Sequence, residues 1–155
     1  LSRGADLAVA PEELVAQVKQ ATGGKGASVV FDPVGGELLL QAIRAASQNA
    51  HVLSVGFASG SIPQVPMNIA LVKNLTLHGF FFGRYIGWTP ADERQAFATS
   101  LQSVMATLFE WASTERIHPH VSKIFEMHQL PDALAALHGR NVTGKIALTI
   151  QGDKT

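Results

Sequence analysis

The sequence has no cysteine, and its 155 residues carry only twelve Lys and Arg against twelve Asp and Glu, so 15% are charged where a soluble domain usually has about 25%. Without cysteine there is no disulfide framework, no thiolate nucleophile and no Cys-ligated zinc. A reducing cytoplasm fits, and a cytoplasmic location is the expectation. Because the two charge signs cancel, there is no basic footprint for a nucleic acid and no polybasic arm for an anionic membrane. The longest run without formal charge, residues 45–72, contains Gln48, Asn49, His51, Pro63 and Pro66, which a lipid-exposed helix does not tolerate. No secretory leader pattern opens the chain, and Leu1 stands where an initiator Met is expected, which leaves room for an N-terminal portion.

Several motifs are also missing. Gly24-Lys25-Gly26 lacks the third glycine of a dinucleotide fingerprint, and residues 23–28 lack the Lys-Ser/Thr end of a P-loop. Ser59 has Phe57 two positions before it, so there is no G-x-S-x-G nucleophile elbow. Six histidines invite a metal reading, and His118-Pro119-His120 presents two rings on one face if extended, but no H-x-x-x-H or H-E-x-x-H supplies the rest of a site. The expectation is that there is no metal site.

What the chain does have is 46% hydrophobic residues and a regular alternation of elements. Pro11, Glu12 and Glu13 start a helix with a fixed φ and acids at its positive end. Leu14, Val15 and Val18 form its apolar stripe. After Thr22-Gly23-Gly24-Lys25-Gly26, the run Ser28-Val29-Val30-Phe31-Asp32 reads as a strand buried on both faces. Pro33-Val34-Gly35-Gly36 is then a turn, residues 37–47 a helix, and residues 51–55 a second buried strand. Strand, helix and strand within about 30 residues make a βαβ unit, so the sheet is expected to be parallel. A third strand is expected over residues 75–82, ended by Gly83. Thr89, Pro90, Asp92 and Glu93 resemble the cap and first turn of a helix whose stripe is Phe97, Leu101, Val104, Leu108 and Trp111. Residues 121–126 and 145–150 read as strands, with a short helix over residues 131–138 between them.

In open parallel sheets, ligands bind beyond the carboxyl ends of the strands. Here these ends carry Val34-Gly35-Gly36, Gly56-Phe57-Ala58 and Gly79 through Gly83. Glycine there either lets a flat ligand approach the backbone or simply makes a tight turn. Phe80-Phe81-Phe82 is equally open between a strand covered by a partner and a wall against a cofactor.

The ordered set Gly4-Ala5-Asp6, Thr22-Gly23-Gly24-Lys25-Gly26, Phe31-Asp32-Pro33-Val34-Gly35-Gly36, Val55-Gly56-Phe57-Ala58-Ser59-Gly60, Lys73-Asn74, Gly79-Phe80-Phe81-Phe82-Gly83 and Thr143-Gly144-Lys145 resembles zinc-independent quinone oxidoreductases of the medium-chain dehydrogenase/reductase superfamily. The resemblance is to their C-terminal portion. It implies an α/β fold: a partial Rossmann-type parallel sheet flanked by helices over residues 1–116, then an α+β return segment over 117–155 that completes a GroES-like substrate domain in full-length relatives. It implies NADPH as cofactor and hydride transfer to a quinone or activated alkene. The nicotinamide-side contacts it implies fall on Val34, Gly35, Gly36, Gly56, Phe57, Ala58, Phe80, Phe81, Phe82, Asn141 and Lys145. No side chain stands out as a catalytic proton donor, Tyr85 being the nearest candidate.

The resemblance further implies a homodimer through the strand of residues 75–82, which no charge or Pro guards as an edge. The Gly-rich pyrophosphate turn and the substrate domain of such relatives have no counterpart in this sequence. The leading expectation is a fragment that binds cofactor weakly or is inactive alone, working with a missing N-terminal portion. Two alternatives are a stand-alone dimeric interaction module without catalysis and a binding domain for another planar molecule. The low charge fits a chain whose apolar faces are covered by partners.

Overall fold

The structure, a computed structural model, describes residues 4–139 and 142–150. The chain divides into two compact units, Leu1–Arg94 and Gln95–Thr155.

The first unit is a three-stranded parallel sheet with helices. A single turn over Pro11–Glu13 leads into α1 (Leu14–Ala21). Thr22 closes that helix: its hydroxyl donates to the Val18 carbonyl at 2.7 Å and accepts from the Gly26 N–H at 2.8 Å. The chain then runs through β1 (Ala27–Asp32), α2 (Gly36–Ala45), β2 (Ala46–Ser54), α3 (Met67–Lys73) and β3 (Thr76–Gly79). The sheet order is β1-β2-β3, with Val30 beside Val52 and Val52 beside Leu77 in register. The βαβ expectation and the parallel sheet therefore hold. The core gathers under α2, where Leu39, Ile43 and Val52 are buried and Val30, Val65, Ile69 and Leu75 pack against them.

The boundary between α2 and β2 differs from the sequence expectation. The helix stops at Ala45 and the strand starts at once at Ala46, with no glycine to reverse the chain. Lys73 explains how. Its ammonium donates to the carbonyls of Ile43, Arg44 and Ala46 at 3.1, 2.6 and 2.7 Å, satisfying three acceptors at the end of the helix. Burial, and then the charge of Lys19, push its pKa below the ordinary lysine value. Lys73→Met keeps the aliphatic stem and removes the donors, and is expected to cost about 1–2 kcal/mol in urea unfolding.

The third strand is also shorter than the expected 75–82. Phe80 N–H makes a last bond to the Ser54 carbonyl at 3.0 Å, and β2 ends there, so the chain has no further neighbour to pair with. Phe82–Ile86 turns into a short 3-10 helix, and the rings of Phe80 and Phe82 lie 5.7 and 6.2 Å from that of Tyr85. The Arg84 guanidinium donates to both Glu93 carboxylate oxygens at 2.7 and 2.8 Å, holding Glu93 below the usual carboxylate range.

The expected helix start, with Thr89 as cap and Pro90 first, moves by four residues. α4 spans Arg94–Ser113. Asp92 takes φ +40°, and its carboxylate accepts from the Arg94 guanidinium at 2.7 and 2.6 Å, while Glu93 is held by Arg84. Among the described residues the buried Thr89 hydroxyl has no hydrogen-bond partner.

In the second unit, the Arg116 guanidinium sits 5.1 Å over the Trp111 ring just past the end of α4. β4 (Val121–Glu126) pairs in parallel with β5 (Lys145–Thr149), α5 (Leu130–His138) lying between them in sequence. Large apolar side chains stand at the surface of both units. In the first, the strand expected to be buried on both faces leaves Phe31 67% exposed, because β1 has no neighbour on its outer side among the described residues. No helix among the described residues is long and apolar enough to cross a membrane.

Candidate functional site

The candidate site is built at the carboxyl ends of β1, β2 and β3, and it begins with a buried carboxylate. Asp32 ends β1 and is 5% exposed. Its oxygens accept the Val34 N–H at 3.2 Å and the Gly35 N–H at 3.1 and 2.9 Å. An aspartate that accepts backbone donors two and three residues on folds the chain back sharply, and Pro33 stiffens the turn. Gly35 completes it with φ +70° and ψ −153°, a region open essentially to glycine alone.

The loop after β2 is bonded to that turn through main-chain groups. Val55 N–H donates to the Asp32 carbonyl at 2.9 Å, Ala58 N–H to Pro33 at 3.1 Å and Ser59 N–H to Val34 at 3.0 Å. Gly36 N–H returns a bond to the Ser61 carbonyl at 3.0 Å. The approach is close enough that a Cβ on Gly35 would lie 2.6 Å from the Phe57 ring and one on Gly56 3.3 Å from the Pro33 carbonyl.

Beside this platform lies an open cavity of about 490 Å³ lined by Ser54, Val55, Gly56, Phe57, Gly79, Phe80 and Phe81. None of these side chains is charged. The site offers aromatic faces, one hydroxyl and backbone groups, a surface for a flat ligand rather than an acid–base pair.

The residues singled out from sequence are distributed as follows. Gly56, Phe57, Phe80 and Phe81 line the cavity together. Val34, Gly35, Gly36 and Ala58 form the platform behind it. Phe82 packs on Tyr85 in the following turn. Lys145 lies on β5 of the second unit, its N–H bonded to the His120 carbonyl at 2.8 Å. Asn141 lies outside the described residues. Sequence reasoning passed over Asp32, Ser54 and Val55 as site residues, while Gly79 was among the strand-end glycines it named. Asp32 carried a readable signal, an Asp followed by Pro and then Gly three residues on.

A family model described as zinc-binding dehydrogenase matches residues 3–148. The chain belongs to the zinc-binding dehydrogenase family. Its match to "Quinone oxidoreductase-like protein 2" of Bos taurus is 34% identical over 134 residues, 86% of this chain and 36% of that protein. The chain thus spans about a third of the length of this curated relative. The quinone oxidoreductase of Pseudomonas syringae has the same fold over 88% of this chain and 39% of its own, with a TM-score of 0.69 at 24% identity. A mycobacterial protein solved in complex with NADPH superposes over 94% of this chain and 43% of its own, with a TM-score of 0.67 at 21% identity. The motif-based resemblance to the C-terminal portion of quinone oxidoreductase-like medium-chain dehydrogenase/reductases agrees with these matches.

The family description names zinc. A zinc centre of the usual three or four protein ligands does not fit the described residues of this chain. The chain has no cysteine, and among the described residues no three His, Asp or Glu gather in one place.

Proposed function

We propose that this chain is the C-terminal part of an NADPH-dependent, quinone oxidoreductase-like enzyme, and that the cavity beside Phe57 and Phe80 receives the nicotinamide end of the cofactor. The observation that carries this reading is an uncharged, aromatic-walled cavity at the strand ends, backed by a platform of main-chain bonds. A cofactor that brings its own hydride needs the protein to orient it and to exclude competing groups, not to supply an acid or a base. Phe57, Phe80 and Ser54 line the cavity, while the Gly56 and Gly79 backbones leave room for close approach. When bound, NADPH supplies the hydride to a quinone or an activated alkene.

The open flank of β1 supports reading the chain as part of a longer enzyme. Val29 and Phe31 are 60% and 67% exposed, and an apolar cavity of about 240 Å³ runs between α1, β1 and α2, lined in part by Leu14, Val18, Val30 and Leu38. We assign this flank to a preceding half-sheet, and residues 117–155 to a return segment that completes a substrate domain. The opposite edge, β3, is exposed at every residue and is offered to a second copy of the chain.

Titration calorimetry with NADPH and NADH, followed by quinone-dependent NADPH oxidation after mixing with a separately made N-terminal portion, tests the reading. Expected are micromolar-strength or weaker binding by the chain alone and an activity in the mixture that neither part has. No heat with either nucleotide and no activity in the mixture, from a chain that sediments as a dimer, would favour the alternative of an interaction module without catalysis.

A further inference from the structure

His51 on β2 and His78 on β3 meet across the sheet. In the parallel register His51 pairs with Thr76 and Leu53 with His78, so the two histidines are diagonal neighbours on one face. The Nδ1 of His51 lies 3.1 Å from the Nε2 of His78. The ring planes are within 24° of parallel, with centroids 5.4 Å apart. The centroid separation exceeds the nitrogen separation by about one ring width, so the two nitrogens face each other edge to edge. Both side chains are exposed. In the neutral pair, one ring donates its N–H to the other.

We propose that this pair is a two-imidazole site for a borderline divalent transition metal, Cu²⁺, Ni²⁺ or Zn²⁺, with water completing the coordination. It is independent of the nicotinamide reading and of any zinc centre with three or more protein ligands. The distance is the argument. Metal–imidazole bonds of about 2.0–2.1 Å to two nitrogens 3.1 Å apart enclose an angle of about 95–100°, between the octahedral and tetrahedral values. The strands already hold the nitrogens at chelating separation, and because the two lone pairs now lie along one line, each exposed ring turns by about 40° to aim at a common ion. The donor ring moves its proton to its other nitrogen, and both facing lone pairs become available. Imidazole selects Cu²⁺, Ni²⁺ and Zn²⁺ over Mg²⁺ and Ca²⁺, which prefer oxygen. The bound ion would staple β3, four residues long and exposed along its length, to the central strand.

The test is titration of the full chain with CuCl₂, NiCl₂ and ZnCl₂ by calorimetry, with MgCl₂ as control, and with electron paramagnetic resonance for Cu²⁺. One ion per chain and nitrogen hyperfine structure from two imidazoles are expected. His51→Gln and His78→Gln each weaken binding about a hundredfold, because the second imidazole otherwise binds intramolecularly. At an ion concentration a hundred times Kd, the wild-type Tm rises by about 5–10 °C and that of either variant does not. A His118→Gln/His120→Gln double variant controls for the other closely spaced pair and is expected to bind as wild type does. The proposal is overturned if the wild-type chain binds no Cu²⁺, Ni²⁺ or Zn²⁺, if either single variant binds as tightly as wild type, or if only the His118/His120 variant loses binding.

Discussion

Gly35→Ala is expected to lower the stability of the Leu1–Arg94 unit by about 3 kcal/mol and to abolish nucleotide heat in calorimetry. Two separate effects combine at this residue. The backbone sits at φ +70° and ψ −153°, where a side chain costs about 1–3 kcal/mol in conformational strain. The new methyl group would also stand 2.6 Å from the Phe57 ring and 3.1 Å from the Ser61 carbonyl, and the latter is fixed by its bond to Gly36 N–H. Gly60 separates the two effects. It has φ +77°, but nothing lies within 4 Å of the place a methyl group would take, so Gly60→Ala reports strain alone and is expected to cost about 1 kcal/mol. Urea unfolding of both variants reads the difference. Equal losses would mean that contact with Phe57 and Ser61 contributes nothing.

Asp32 gives the second large effect. Its carboxylate is buried and serves two backbone N–H groups, so Asp32→Ala leaves both donors without a protein acceptor, at an expected cost of about 3 kcal/mol. Asp32→Asn retains one oxygen but turns an NH₂ toward the Gly35 N–H, so donor faces donor. An intermediate loss of about 2 kcal/mol is expected. Urea denaturation checks the order, and an Asp32→Ala variant as stable as wild type would show that the turn holds itself. The same substitutions should weaken nucleotide binding beyond what stability explains, because Val34 and Gly35 are the near edge of the platform.

The parallel sheet, the helices between its strands and the glycine turns at the strand ends were legible because each rests on local chemistry. β-Branched runs, capping residues and Gly-rich breaks act within a few residues of where they stand in the chain. What escaped depends on partners distant in sequence. The end of α2 is set by Lys73, almost thirty residues downstream, and no local pattern announces an ammonium donating to Ile43, Arg44 and Ala46. The third strand looked longer because Phe80-Phe81-Phe82 has strand chemistry, but a strand lasts only as long as its neighbour, and β2 ends at Ser54. Thr89 and Pro90 have the composition of a helix start, yet the helix begins at Arg94, after Asp92 takes φ +40° and Glu93 pairs with Arg84 nine residues upstream, a backbone turn and a pairing that composition does not announce.

The candidate site was legible to the same degree. Its glycines and phenylalanines could be named from their positions after the strands. The role of Asp32 lies in a bond geometry that composition does not display, although the Asp-Pro-Val-Gly order hints at it. His51 and His78 are 27 residues apart in sequence and meet only because two strands lie in one particular register.

The bonds that join the loop after β1 to the loop after β2 all run between main-chain atoms, from Val55, Ala58 and Ser59 to Asp32, Pro33 and Val34. A frame made this way depends on few of the side chains its residues carry, provided Asp32 keeps its carboxylate, Gly35 its φ and Gly56 its close approach. Shape and chemical preference are thereby separated in inheritance. Substitutions at Val55 or Phe57, which line the cavity, can retune what it accepts while the frame that holds it stays the same.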